Sequence, residues 1–223
     1  MSEFLKNIEP IGQRTRFTFH CKACGACCKN VCDSIMLNAY DAFRLVSHFK
    51  KIYPQKTAEE ILDMIGVVKL LVRGFCVYVL KTENGVCDFL RNNKCSVYTA
   101  RPHTCRIYPL SVEATDDCKS LQWYLCTEQG HHFNGGSTTP RELQRKILPE
   151  DEKKFVLLES RLMKEIGEII FDIPDSKLNE CEAITLAFNY YAYDASQPFL
   201  EQYEDNMHVM KAYLKRLAEE NNQ

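Results

Sequence analysis

Residues 19–28 read FHCKACGACC and place four thiols, Cys21, Cys24, Cys27 and Cys28, within eight positions. A hydrophobic core has no use for four sulfurs in one short loop, whereas an electron-poor centre does, and thiolates at this density suit Zn²⁺ or an iron–sulfur cluster. Cys21-x2-Cys24-Gly25 has the form of a metal knuckle, in which a tight turn aims two sulfurs at one ion and glycine supplies the positive φ such turns use. Adjacent residues of an extended chain point to opposite sides, so Cys27 and Cys28 are not expected to serve one mononuclear ion together. One of the pair is then a ligand, and its neighbour either binds a second centre or stays a free, reactive thiol.

Adding Cys27 to the knuckle gives C-x2-C-x2-C, the spacing that wraps three corners of a cubane in bacterial ferredoxins. The ferredoxin run continues to a fourth cysteine after three residues; here that place is Val31, and Cys32 follows one position late. Cys76, Cys87, Cys95, Cys105, Cys118, Cys126 and Cys181 complete the twelve, and eleven of them precede residue 127. A disulfide framework is the competing explanation, but such frameworks belong mostly to short secreted chains. The opening MSEFLKNIEPIGQRTRF lacks the apolar core of a signal peptide, and the longest apolar run, GVVKLLVRGFCVYVL at 66–80, is broken by Lys69 and Arg73. A cytoplasmic chain with reduced thiols and no membrane span is the expectation. Residues 1–126 carry 17 Lys and Arg against 12 Asp and Glu, while 127–223 carry 11 against 18. Thiolate ligands absorb part of the N-terminal excess, so the charge is no strong signal for nucleic acid.

The chain predicts an α+β fold: a small cysteine-rich metal-binding domain over 1–135, with short β-hairpins and flanking helices, then a mainly helical region over 136–223 packed on it. NAYDAFRLVSHFKKI (38–52) has helical apolar spacing with Asn38 as N-cap, and Thr57 with Glu60 forms a capping-box pattern before a second helix. FCVYVL (75–80) and VCDFL (86–90) flank KTENG, whose Asn84-Gly85 pair predicts a hairpin between them. CSVY (95–98) reads as another short strand, and Pro102 and Pro109 exclude a long helix around Cys105. GHHFNGGSTTP (130–140) is a loop by composition and marks the division. Beyond it, Thr139 and Glu142 cap a helix with Pro140 at its first position, Pro149 opens another, and further helices are expected at about 176–193 and 198–220. In the last, Tyr203, Met207, Met210, Tyr213, Leu214 and Leu217 read as one packing seam. A helical region folding around its own seams predicts that deleting 136–223 leaves the metal content of the front intact.

Taken together, FHCKACGACC, then GVCDFLRNNKCSVYTARPHTCRIYP (85–109), then a later cysteine, resemble the cysteine-cluster family of zinc- or iron-chelating proteins (YkgJ-type). That family includes the cluster domain of flagellin lysine N-methylase. The resemblance covers about residues 19–130 and implies that Cys21, Cys24, Cys27, Cys28, Cys87, Cys95, Cys105 and Cys126 are the functional thiols. It further implies a 4Fe-4S cluster or Zn²⁺ as cofactor and, through the N-methylase, S-adenosylmethionine and a protein substrate.

Arg101 and Arg106 bracket Cys105. An anionic thiolate centre requires a positive partner when buried, and arginine offers five donors to bridge sulfur and carbonyl oxygen, or to hold an anionic substrate or cofactor carboxylate. His131 and His132 follow Cys126 but sit in a polar loop and read as solvated. His103 is placed between loop packing and a hydrogen bond to a ligand. His48 and His208 carry no role. Cys32, Cys76, Cys118 and Cys181 read as small buried apolar residues, with Cys32 also able to replace Cys28. Two functions remain open at this level. One is an iron–sulfur protein with redox or methyl-transfer chemistry; the other is a zinc-stapled module that binds a protein partner.

Overall fold

The computed structural model of the chain describes residues 7–31, 34–148 and 150–220; Cys32, read as an alternative ligand, and Pro149, read as a helix opener, lie outside the described residues. Strands β1 (Ile8–Ile11) and β2 (Phe17–Thr18) lead into the cysteine loop, which ends in a 3₁₀ turn at Ala26–Cys28. There follow β3 (Met36–Leu37), α1 (Ala39–Lys50), α2 (Ala58–Ile65), β4 (Gly66–Val72) and β5 (Phe75–Leu80). Two miniature hairpins come next, β6 (Thr82–Glu83) with β7 (Val86–Cys87) and β8 (Leu90–Arg91) with β9 (Lys94–Cys95). The one-turn α3 (His103–Ile107), β10 (Leu110–Ala114), β11 (Leu121–Cys126) and β12 (Ser137–Thr138) complete the strand-rich part. The remainder is helical: α4 (Pro140–Ile147), α5 (Glu150–Phe171), α6 (Leu178–Leu186), a π-helical turn at Ala187–Tyr191, and α7 (Phe199–Glu219). The α+β class follows the sequence expectation.

The helix starts lie where their caps are. Asn38 accepts from the Asp41 backbone N–H at 2.8 Å, and both capping boxes, Thr57 with Glu60 and Thr139 with Glu142, are closed reciprocally. Each satisfies backbone donors that a helix leaves unpaired in its first turn.

β5 is the hub of the fold. It is the middle strand of an antiparallel sheet in the order β3-β5-β4 and is buried along its whole length. Phe75, Val77 and Val79 face Phe155, Ile166, Tyr203, Met207 and Leu214 of α5 and α7. Tyr78 and Leu80 face the other way, against Leu45, Ile61 and Leu62 of α1 and α2. Burial on both faces is why FCVYVL is an unbroken apolar run rather than an alternating one. Its hairpin partner is therefore GVVKLLV, across Arg73-Gly74, and not VCDFL across KTENG. The Asn84-Gly85 turn does form, but it joins only the two-residue strands β6 and β7.

A second sheet, β1-β11-β10, covers a smaller core of Ile11, Phe17, Ile107, Leu110, Trp123 and Leu125. α7 buries Tyr203, Met207, Met210, Leu214 and Leu217 as the seam predicted, while Tyr213 turns outward, 42% exposed. Among the described residues, no helix is long and apolar enough to cross a membrane.

Candidate metal centre

Four separate segments deliver cysteines to one place. In the loop 21–28, Ala23 (φ 49°) and Gly25 (φ 71°) are left-handed, and Cys28 N–H bonds to Gly25 O at 3.0 Å to close the 3₁₀ turn. A Cβ on Gly25 would lie 2.8 Å from Leu90 Cδ1, so the loop is seated against the β8–β9 hairpin, and the φ of 71° favours glycine there. Both hairpins turn on two residues of positive φ, Asn84 (50°) with Gly85 (76°) and Asn92 (51°) with Asn93 (59°). That is the twist-matching type I′ arrangement, which Asn and Gly tolerate. Each return strand ends on a thiol, Cys87 in β7 and Cys95 in β9. Cys105 comes from α3, whose length is limited by the prolines on either side.

Seven of the eight predicted cysteines, Cys21, Cys24, Cys27, Cys28, Cys87, Cys95 and Cys105, line one cavity of about 330 Å³ together with Arg101, Tyr108 and His132. Cys126 does not; it lines a neighbouring cavity that shares Cys27 and Tyr108. Among the described residues all eleven cysteines are free thiols. Cys27 and Cys28 do not diverge. The 3₁₀ turn replaces the extended backbone on which divergence was expected, and both thiols line the same cavity. The neighbouring Cys28 thiol, with a smaller contribution from Arg101, pulls the Cys27 thiol down to about 7 against the opposing effect of desolvation. Cys28 is pushed far up by its neighbour Cys27, by burial, and by negative charge at Cys27, Cys105 and Cys87. Burial also raises Cys87, Cys95 and Cys105, with charge on neighbouring thiols adding to each. Cys28, Cys87, Cys95 and Cys105 each feel the charge of a neighbouring thiolate, as donors gathered around one centre do.

His132 is buried rather than solvated, and His131, although exposed, reaches the same Cys24 sulfur. Their Nε2 atoms lie 3.4 and 3.3 Å from Cys24 Sγ, and the three atoms fall within 4.8 Å of one another. The loop carrying them is tied to the cysteine run by backbone bonds, His20 N–H to His132 O at 2.8 Å and Phe19 N–H to Gly136 O at 3.2 Å, and by β2–β12 pairing. Burial, then the neighbouring His131, Lys22 and His20, lower the His132 pKa and favour the neutral imidazole that binds metals.

The two arginines have different partners. Arg101 donates from Nε to Tyr98 O at 3.0 Å, stacks 3.7 Å over the Tyr98 ring, and favours ionisation of Cys27 and Cys95 by its charge. Arg106 instead pairs with Glu152, whose side chain is 2% exposed. The same carboxylate lies 2.6 Å from His103 Nδ1, while the His103 backbone N–H donates to Asp41 Oδ1 at 2.7 Å. Burial raises the Glu152 pKa, but the bonds from His103 and Arg106 outweigh it and hold the carboxyl below its usual range. Glu152 belongs to α5 and sits 47 residues after Cys105. In the sequence it is legible only as favourable charge in a helix's first turn.

The family described as "Putative zinc- or iron-chelating domain", with the cysteine pattern CxxCxxCC, matches residues 20–129. An uncharacterized protein of Methanocaldococcus jannaschii, MJ0661, is 28% identical over 163 residues, 66% of this chain and 81% of that protein. No solved structure matches the chain. The donor set fits the family's description, since thiolate sulfur suits both zinc and iron–sulfur centres.

Proposed function

We propose, from the premise that residues 20–129 belong to this zinc- or iron-chelating family, that the cavity between the cysteine loop and the two hairpins holds a thiolate-ligated iron–sulfur cluster. The observation that carries the choice is the set Cys27, Cys28, Cys87, Cys95 and Cys105, five thiols that act on one another in a single cavity. A closed structural zinc site takes four ligands and leaves the fifth without a purpose. A cubane also takes four, and the fifth thiol then lies beside a reactive centre; Cys27, whose pKa is lowered, suits that part better than Cys28. Arg101 supplies positive charge beside the thiolates, as an anionic centre in a low-dielectric cavity requires. Cys21 and Cys27 are exposed, so the cavity has an edge at which a reactant or redox partner can approach. Redox use would follow from the cluster itself, and methyl transfer to a protein lysine with S-adenosylmethionine from the likeness to the N-methylase.

Protein purified without oxygen is expected to be brown, to contain iron and acid-labile sulfide in comparable amounts, and to bleach with reductant. Cys105→Ser should lower both contents, whereas Cys181→Ser, at a buried thiol that donates to Gly74 O at 3.2 Å, should leave them unchanged. A colourless preparation with zinc alone would sink the cluster and leave the zinc-stapled module.

A further inference from the structure

We propose that Cys24, His131 and His132 form a second metal site, a mixed thiolate–imidazole set for a zinc-type divalent ion, separate from the thiolate cluster. It extends the reading above but does not need iron to be in the first site. Two of the three ligands lie beyond residue 129, outside the segment that the family accounts for.

The two sulfur–nitrogen separations are those of ligands sharing one ion. A tetrahedral zinc with Zn–S about 2.3 Å and Zn–N about 2.0 Å sets sulfur and nitrogen about 3.5 Å apart. The observed separations are 3.3 and 3.4 Å. Both imidazoles present the same atom, Nε2, to the same sulfur, although the residues are adjacent in the chain; a 3₁₀ turn at Gly130–His132 brings the rings to 4.1 Å between centroids. The site is built rather than incidental. Backbone bonds at His20 and Phe19 fix the histidine loop on the cysteine run, and His132 is 2% exposed, its ring edge-on to Phe19 at 5.9 Å between centroids. Donor chemistry separates it from the neighbouring thiols, because imidazole with a single thiolate suits zinc better than an iron–sulfur cluster.

Cys24 and His132 line the same cavity as the thiolates, so an ion held by these residues would border that cavity. Cys21 lines it too but is not among the three clustered ligand atoms. Three protein ligands with an open fourth position is the pattern of zinc sites that bind an outside ligand, so this ion would hold a water or the oxygen of a small anionic or carbonyl compound beside the first centre.

The test is metal content per folded chain in the wild type, His131→Ala and His131→Ala/His132→Ala, with zinc, iron and sulfide measured on the same samples. The double variant is expected to lose one equivalent of zinc and to keep its iron and sulfide. His131→Ala, at an exposed position, should hold that zinc at least about tenfold more weakly against a chelator. Unchanged zinc in the double variant overturns the site, as does parallel loss of zinc and iron, which would assign the histidines to the cluster. Should the double variant fail to fold, the zinc-edge absorption spectrum of wild-type protein decides. One sulfur and two imidazole nitrogens support the proposal, and an all-sulfur shell overturns it. A wild type without iron, but with a histidine-dependent equivalent of zinc, would sink the cluster reading while upholding this one.

Discussion

Glu152 binds two residues that flank Cys105 in space, and its removal would strand one of them. The Arg106 side chain is 9% exposed and the Glu152 carboxylate is its ion-pair partner. Breaking a buried pair from one side costs about 3–5 kcal/mol because the remaining charge is uncompensated, while replacing both partners by apolar groups costs much less. Glu152→Ala is therefore expected to lower unfolding stability by that amount in urea titrations, and Glu152→Leu/Arg106→Met by distinctly less. A loss under about 1 kcal/mol in the single variant, the size of a surface pair, would refute the buried network. The pH dependence follows from the depressed carboxyl. Its contribution is fully present above the ordinary glutamate value of about 4.3 and is lost as pH falls through the lower folded value. Little of this was legible in the sequence. Arg106 was singled out for its place beside Cys105, but its partner is 46 residues away, and Cys24 meets His131 at a separation of 107. Spacing rules see ligands a turn apart and are blind to pairs assembled by two-residue strands such as β2 and β12, which are too short to leave a periodic pattern.

At the scale of elements, the turns were more legible than the pairings. Asn84-Gly85 announces a tight hairpin because both residues must take positive φ, and they do, at 50° and 76°. Asn92-Asn93 makes the same turn one hairpin later, a weaker signal since asparagine tolerates the left-handed region less readily than glycine. The partner of FCVYVL was not legible, because a doubly buried strand shows no alternation to fix its register or its neighbour. Nor was the 3₁₀ turn at Ala26–Cys28, three residues without a helical period, which is why Cys27 and Cys28 converge instead of diverging. Since β7 is only two residues long and ends on Cys87, its turn sets the position of that sulfur. Gly85→Val forces a β-branched residue to a φ of 76°, at a cost of roughly 1–2 kcal/mol. The expected result is a reduced metal content with secondary structure retained by far-UV circular dichroism. Full metal loading in the folded variant would show that Cys87 is dispensable to the centre.

Across the whole molecule, the sequence suggested a front that holds metal and a back that folds on its own seams, so that deleting 136–223 should spare the metal. The shared core supports the opposite outcome. Phe75, Val77 and Val79 of β5 are covered by Phe155, Ile166, Tyr203, Met207 and Leu214, all supplied by the helical region. Exposing three such side chains forfeits about 5–9 kcal/mol at 1.5–3 kcal/mol each, comparable to the total stability of a typical domain. The other face of β5 packs in the core that also holds Cys28, Cys87, Cys95 and Cys105, so loss of the strand reaches the ligands directly. The same deletion removes Glu152 from Arg106 and His103, and removes β12, whose pairing with β2 holds the histidine loop against Cys24. Residues 1–135 alone are therefore expected to lose cooperative unfolding and most of their metal, as read by thermal melts and metal analysis of the purified fragment. A folded fragment with the full metal complement would show that the front is self-sufficient and that the contact with α5 and α7 serves something other than stability of the centre.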